Sequence, residues 1–388
     1  MEQSVNIKIP KSINFSGIEE IYKKFDANET LKLQLPNSLS HSGGFGIEGF
    51  VLQLYLTLMR QAKELIAHTF ANSSDDSGDY EELCNHLLGL SYLRMSDVVL
   101  TSEKKNVSLL VALAPAIPIF KAIRSEDFKS SFKGRYVALP AIKSAGSSKS
   151  REFEMPLYNS DEVVGAEKFL KITKKSIEAI MPGSQKRGLL DRSEISNISE
   201  IIRELFTNTH RHARSDVKGN YYKKNVRAVS FRFDSLSRER MQEISKSGGT
   251  KLALFIGDWL PKGNKVFNAL DITVVDSGPG FARRWSGLDV DELDFESERE
   301  AIISCFKKHQ SSGLGASSGS GLNNVLKDLR SVRGWMRLRT GRALVEKSFF
   351  NKQGEPSLQK IDVKEMGSFV EGVVFNIVIP VDALLEVE

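Results

Sequence analysis

Apolar and polar positions exchange two periods along the first hundred residues. Val5 to Ile9 alternates like a half-buried strand, Gly17 to Phe25 repeats at helical spacing, and Leu31 to Leu35 alternates again until Pro36 stops it. A loop from Ser38 to Gly46 then leads into Phe50 to Met59, apolar almost throughout, interrupted at Gln53 and followed by Arg60, Lys63 and Glu64. A membrane span needs roughly 20 apolar residues, so this run reads as a buried helix. The loop before it holds Gly43, Gly44 and Gly46 but no following Lys-Ser/Thr, and reads as a turn rather than a phosphate cradle. Val107 to Phe120 is apolar too, contains Pro115 and Pro118, and reads as core strand and loop.

Two connectors follow, Asn72 to Asp79 (NSSDDSGD) and Lys143 to Ser150 (KSAGSSKS). A helix is expected from Ser160 towards Ile180, ending before Pro182-Gly183. Near it the chain divides into an N-terminal α/β unit, residues 1–155, and a second unit, residues 156–388. In the second unit a helix from Ser193 to Ala213 carries Ile195, Ile198, Ile201, Ile202, Leu205 and Phe206 on one face. Strands are expected at Val226 to Phe233, Leu252 to Ile256, Leu270 to Val275, Met336 to Arg339 and Gly372 to Pro380. Helices are expected at Glu296 to Lys308 and Asn323 to Arg333. No fixed-period repeat and no long heptad seam interrupts this order.

Composition narrows the class. The 388 residues are 40% hydrophobic and 27% charged, enough for a real core in two globular units. Lys and Arg number 54 against 49 Asp and Glu, an excess too small to imply nucleic acid without a localised patch. The nearest to such a patch is Arg211, Arg214, Lys218, Lys223, Lys224 and Arg227 with Tyr221 and Tyr222 among them, which more simply reads as a solvated loop. Cys84 and Cys305 stand far apart and form neither a zinc pair nor a disulfide framework. Together with an N-terminus, MEQSVNIKIPKS, that lacks a secretory pattern, they point to a cytoplasmic protein with no membrane partner.

The candidate chemistry lies in the second unit. Glu204 and Asn208 stand four apart, so a carboxylate and a carboxamide share one side of a helix. The carboxylate suits a general base on water, and the amide oxygen suits a hard cation such as magnesium. The strand ending at Val275 delivers Asp276 to a Ser277-Gly278-Pro279-Gly280 turn, an acceptor for a ligand amine beside closely approachable backbone. Ser311 to Leu322, rich in Gly and Ser, opens a helix, where unpaired N–H groups and the helix dipole favour phosphate.

The order helix, strands, strand with Asp, helix, glycine segment, helix, strands resembles the GHKL superfamily of gyrase, heat-shock chaperone, histidine-kinase and mismatch-repair ATPases. The resemblance covers roughly residues 190 to 382. It rests on ELFTNTHRHA (Glu204, Asn208, His212, Ala213), DSGPG from Asp276 and GSGL from Gly319. It implies an α/β sandwich with a mixed sheet and a histidine-kinase-like ATP site between the first helix and a glycine lid. In that resemblance Asp276 accepts the adenine amine, Gly278 and Gly280 shape the adenine pocket, Asn208 binds Mg2+, and Glu204 acts on the attacking water. Gly319, Ser320, Gly321 and Leu322 form the second glycine box, whose Gly319 and Gly321 N–H groups meet the phosphates, with Gly313 and Gly315 in the lid. Family members often dimerise with ATP bound, which implies a homodimer or a protein partner. The first hundred residues resemble STAS-type domains in their strand-helix-strand-long-helix order.

The chain departs from the pattern in two places. Gly372-Val373 stands where many members carry Gly-Thr, so a hydroxyl near the adenine is missing, and no later Lys or Arg reaches for the terminal phosphate. Three functions compete: a slow Mg-ATPase acting as a conformational switch, a protein kinase of the histidine-kinase or anti-sigma type, and a nucleotide-binding regulatory module without turnover. A histidine kinase would need a phospho-acceptor from His41, His68 or His86, none in the expected sequence context. His212 reads as structural, packing at the end of its helix, and His309, just before the glycine segment, as a helix end or a phosphate contact.

Overall fold

The apolar run that begins near Phe50 forms a helix, Ile47–Gln61, in which every residue from Ile47 to Leu58 is buried. A helix buried all round has no solvent face and needs apolar partners on opposite sides. It finds them between two sheets. The computed structural model describes residues 5–24, 30–40, 44–144, 155–181, 190–259, 266–307, 321–351 and 356–381.

On one side lies a parallel sheet of β1 (Val5–Lys8), β2 (Thr30–Gln34), β3 (Glu64–His68) and β4 (Val98–Leu100), in that order. β2 and β3 alternate buried and half-buried positions, as their sequence pattern predicts. On the other side β5 (Tyr136–Lys143), β8 (Asn225–Ser237), β9 (Val266–Asp276), β10 (Trp335–Ser348) and β11 (Val363–Pro380) form a five-stranded sheet in the order β10-β11-β9-β8-β5. A small hairpin of β6 (Tyr158–Asn159) and β7 (Glu162–Val163) stands apart. Helices Ala166–Ile180 and Arg192–His212 cover the face of the five-stranded sheet away from Ile47–Gln61. One continuous apolar core joins both sheets. The fold is mixed α/β, with one parallel and one antiparallel main sheet.

Several expectations are corrected. The second sheet is antiparallel throughout, not mixed: β9 and β10 run the same way, but β11 turns back from β10 and inserts between them, so the parallel pair never bonds. The division at residue 155 does not separate the sheets, because β5 lies before it and pairs Tyr136 to Lys143 with β8. Leu252 to Ile256 is not a strand but part of the helix Thr250–Trp259, which buries Leu252, Phe255, Ile256 and Trp259 at helical spacing against Phe267 and Trp335. Val107 to Phe120 forms two short helices, Leu109–Ala112 and Ala116–Arg124, with Pro118 in a first turn where no intrahelical N–H is needed. Ser160 begins no helix. It takes a positive φ of 58° in the hairpin turn, and the helix starts at Ala166. No described helix is long and apolar enough to cross a membrane.

The face of the five-stranded sheet towards Ile47–Gln61 is unusually polar for an interior. Arg339, 1% exposed, donates to both oxygens of Glu19 on the helix Phe15–Tyr22 at 2.9 and 3.2 Å. Arg232 donates to Glu48 at 3.2 Å, and Glu48 also accepts from Tyr136 Oη at 3.0 Å and Leu88 N at 3.1 Å. Asp271 accepts from Gly46 N at 2.9 Å and from Asn376 Nδ2 at 2.5 Å. The start of Ile47–Gln61 is thus occupied by a carboxylate of the chain itself, in agreement with the turn reading of the glycine loop. Removing one partner of a buried ion pair strands the other charge. Glu19→Ala is expected to lower stability to urea by about 3–5 kcal/mol, whereas a loss under about 1 kcal/mol would show that the pair behaves like a surface contact.

Candidate functional site

The helix Arg192–His212 starts at an Asp191–Glu194 capping box and buries Ile198, Ile201, Ile202, Leu205 and Phe206. Glu204 and Asn208 flank that buried face and are half-buried. Arg203 Nη2 donates to Glu204 Oε1 at 2.8 Å and also to Glu200, also at 2.8 Å. The Asn208 side chain has no hydrogen-bond partner among the described residues.

Asp276 closes β9 on the same side of the sheet. In register with it across four strands stand Thr340 of β10, Val373 of β11 and Arg227 of β8, and residues directly opposite one another share a face. Asp276 is buried, and burial pushes its carboxyl up to about 7 despite the Gly278 N–H that donates to it at 2.8 Å and the nearby Arg227. Arg227 is fully buried, donates to Tyr158 Oη at 2.5 Å and to Asn225 Oδ1 at 3.1 Å, and lies 3.3 Å from His210 Nδ1. His210 is pulled down to about 4 by burial, then by Arg214 and Arg227; His212 falls to about 4 through burial and then Arg284. Both rings are neutral at pH 7, and His210 Nδ1 can therefore accept from Arg227.

Three segments that are far apart in sequence meet along the helix Arg192–His212. A Cβ on Gly278 would come within 2.6 Å of Ala213 just past its end, and a Cβ on Gly321, the first residue of the helix Gly321–Ser331, would collide with Glu204 Oε2. Glycine is the residue that fits the approach to the Ala213 main chain, whereas at Gly321 the neighbour is the movable end of Glu204. The nine residues from Glu204 to Ala213 separate them by about 13 Å along the helix. The structure therefore brings together Glu204, Asn208, Asp276, Gly278 and Gly321, with Leu322 half-buried beside the core. Gly280, at φ 85°, turns the chain under Thr340, whose hydroxyl accepts from Phe281 N at 3.2 Å. Gly313, Gly315, Gly319, Ser320 and His309 lie outside the described residues, as does His41.

Sequence reasoning missed Thr340. The hydroxyl lacking at Val373 is presented by its register partner one strand away, a substitution that motif spacing along a single strand does not show. It also missed Asp328, whose carboxyl burial lifts to about 6 with help from Glu200 and, after the opposing Lys327, Glu204. The described residues contain no group of three or more His, Cys, Asp or Glu able to hold a metal. A magnesium ion at Asn208 would thus depend on phosphate and water for most of its shell, a common arrangement for this ion. Of two small cavities, one borders the Asp276–Gly280 turn, lined by Gly280, Thr340, Arg283, Glu298 and Arg342, and the other lies apart, between Pro36, Glu48, His86 and Arg232.

The basic cluster does not form one exposed patch. Arg227 is buried, Lys224 pairs with Asp97 at 2.5 Å, and Arg60 stacks on Tyr222 with 3.6 Å between guanidinium carbon and ring centre. His68 closes β3, and His86 precedes the helix Leu87–Met95, where burial lowers its pKa. No protein-family model, curated protein or solved structure matches the chain.

The raised carboxyl of Asp276 has a thermodynamic signature. A group that titrates near 7 when folded and near 3.8 when unfolded binds a proton on folding between those values, so its contribution to stability falls as pH rises from about 4 to 7. Asp276→Asn should therefore be more resistant to urea than wild type at pH 8, with the advantage fading towards pH 4; an equal difference at both pH values would contradict the assignment.

Proposed function

We propose that the chain binds Mg-ATP along the helix Arg192–His212 and hydrolyses it slowly, as a conformational switch that controls a partner or a second copy. The observation that carries this reading is the meeting of three motifs on one helix: the base end at Asp276 and Gly278, the phosphate end at Gly321 and Glu204, with Asn208 between. A buried, strained-to-ionise carboxyl at a strand end is the kind of group that sites retain at a cost in stability. In this reading Asp276 accepts the adenine amine, with Thr340 beside Gly280 offering the hydroxyl absent from Val373. Asn208 contributes an oxygen to the magnesium ion, which when bound neutralises charge on the phosphates. Glu204, released from Arg203, orients or deprotonates water. The freed Arg203 guanidinium lies at the phosphate end, where the sequence offers no later Lys or Arg.

Differential binding sets the test. A base that acts mainly in the transition state can be lost without losing ground-state affinity. Glu204→Ala should bind ATP as wild type does and release phosphate at least about a hundredfold more slowly; an unchanged rate would remove Glu204 from the chemistry. An acceptor at Asp276 also predicts preference for ATP over GTP, whose base carries a carbonyl at the equivalent position, and equal affinity for both would count against the adenine role.

A further inference from the structure

Only a few polar side chains interrupt the apolar helix Ile47–Gln61, and three of them, Gln53, Thr57 and Arg60, fall four and three residues apart on one stripe. That stripe follows Gly49, whose missing Cβ would come within 2.5 Å of Thr273 Cγ2, so this is the face pressed on the five-stranded sheet. Its hydrogen bonds to the sheet all go to main-chain atoms. Gln53 Nε2 lies 3.0 Å from Arg339 O, 3.3 Å from Glu371 O and 3.4 Å from Gly372 O. Thr57 Oγ1 accepts from Glu371 N at 3.0 Å. Arg60 Nη2 donates to Lys224 O at 2.9 Å and to Ser277 O at 3.2 Å.

Those main-chain groups are the underside of the candidate site. The β10–β11 register slips between Thr340 and Gly341, the irregularity that commonly re-aims a strand beside a site. Gly372 sits there at φ 74°, with its N–H donating to Gly278 O at 2.7 Å and no room for a Cβ against Asp276 O. Gln53 and Thr57 therefore hold the bulge that braces Gly278, and Arg60 holds the residue between Asp276 and Gly278. The same three donors and acceptors satisfy main-chain groups that would otherwise be buried without partners.

We infer that Gln53, Thr57 and Arg60 are positioning residues for nucleotide, through which the unit containing the four-stranded parallel sheet sets the shape of the Asp276–Gly280 turn. The inference rests on the nucleotide reading above for its ligand, though not for its geometry. Displacement of Ile47–Gln61 by anything bound to the parallel sheet would reach the base end of the site before the phosphate end, so adenine affinity is the quantity controlled.

The test uses the full chain with Gln53→Leu and Thr57→Val, which keep volume and remove the polar contacts, and Glu48→Gln, which weakens an ion pair on the same helix away from the bulge. MgATP and MgADP affinities are measured by calorimetry. Amide hydrogen exchange over residues 276–280 and 370–374 is followed without nucleotide. Gln53→Leu and Thr57→Val are expected to weaken both nucleotides about tenfold and to speed exchange in both segments. Glu48→Gln is expected to leave affinity within about twofold even where its thermal midpoint falls as far. Unchanged affinity and exchange in the first two variants, or an equal loss in Glu48→Gln, would overturn the inference. If wild type binds no ATP while exchange still quickens in the first two variants, the nucleotide reading fails and the bracing geometry stands.

Discussion

The structure depends on one helix having no solvent side. Ile47–Gln61 is buried from Ile47 to Leu58, with a parallel sheet on one side and an antiparallel sheet on the other. Once it is placed, polar groups trapped at its surface must be satisfied, because an unpaired buried donor or acceptor costs about as much as several good contacts return. Glu48, Gln53 and Thr57 meet that demand with Arg232, the 371–372 bulge and Leu88 N. Glu19 answers Arg339 from the neighbouring helix. The two halves of the chain are consequently one interior, and the sheet that carries Asp276 is supported from behind by residues 184 to 320 positions earlier.

Much of this was legible in the residues. Helical spacing located Arg192–His212 to within a residue at each end, strand alternation found β1 and β2, and a continuous apolar run found β9. Of the two glycine-bearing motifs, DSGPG was visible because local geometry forces its residue type, as at Gly278 against Ala213. What failed were short apolar runs. Leu252 to Ile256 has the composition of a strand, and only its fit against Phe267 and Trp335 makes it a helix. β5 could not be assigned to the second sheet because strand pairing is a long-range choice that no local pattern records. Thr340 escaped for the same reason: its relevance comes from register with Val373, not from sequence neighbours. The role of Gln53 was hidden in plain view, as the break in an apolar helix.

Burial sets the charge state on both faces of the five-stranded sheet. Towards Ile47–Gln61, Glu19 pairs with Arg339 and Glu48 with Arg232, while Asp271 is pushed up to about 7 by burial and then by Asp234. Towards Arg192–His212, Asp276 has only backbone N–H groups and more distant guanidinium groups to favour its ionised form, and burial prevails there too. The two carboxyls differ in surroundings: Asp271 is met by Gly46 N–H and the Asn376 amide inside the core, whereas Asp276 stands at a strand end beside the Gly278 turn.

Hydrogen exchange of the full chain with and without MgATP addresses the central claim most directly. Nucleotide held along Arg192–His212 predicts slower exchange in three separate stretches, the turn from Asp276 to Gly280, the segment around Glu204 and Asn208, and the start of the helix at Gly321. Protection confined to other parts of the chain, or none at saturating MgATP, would contradict it.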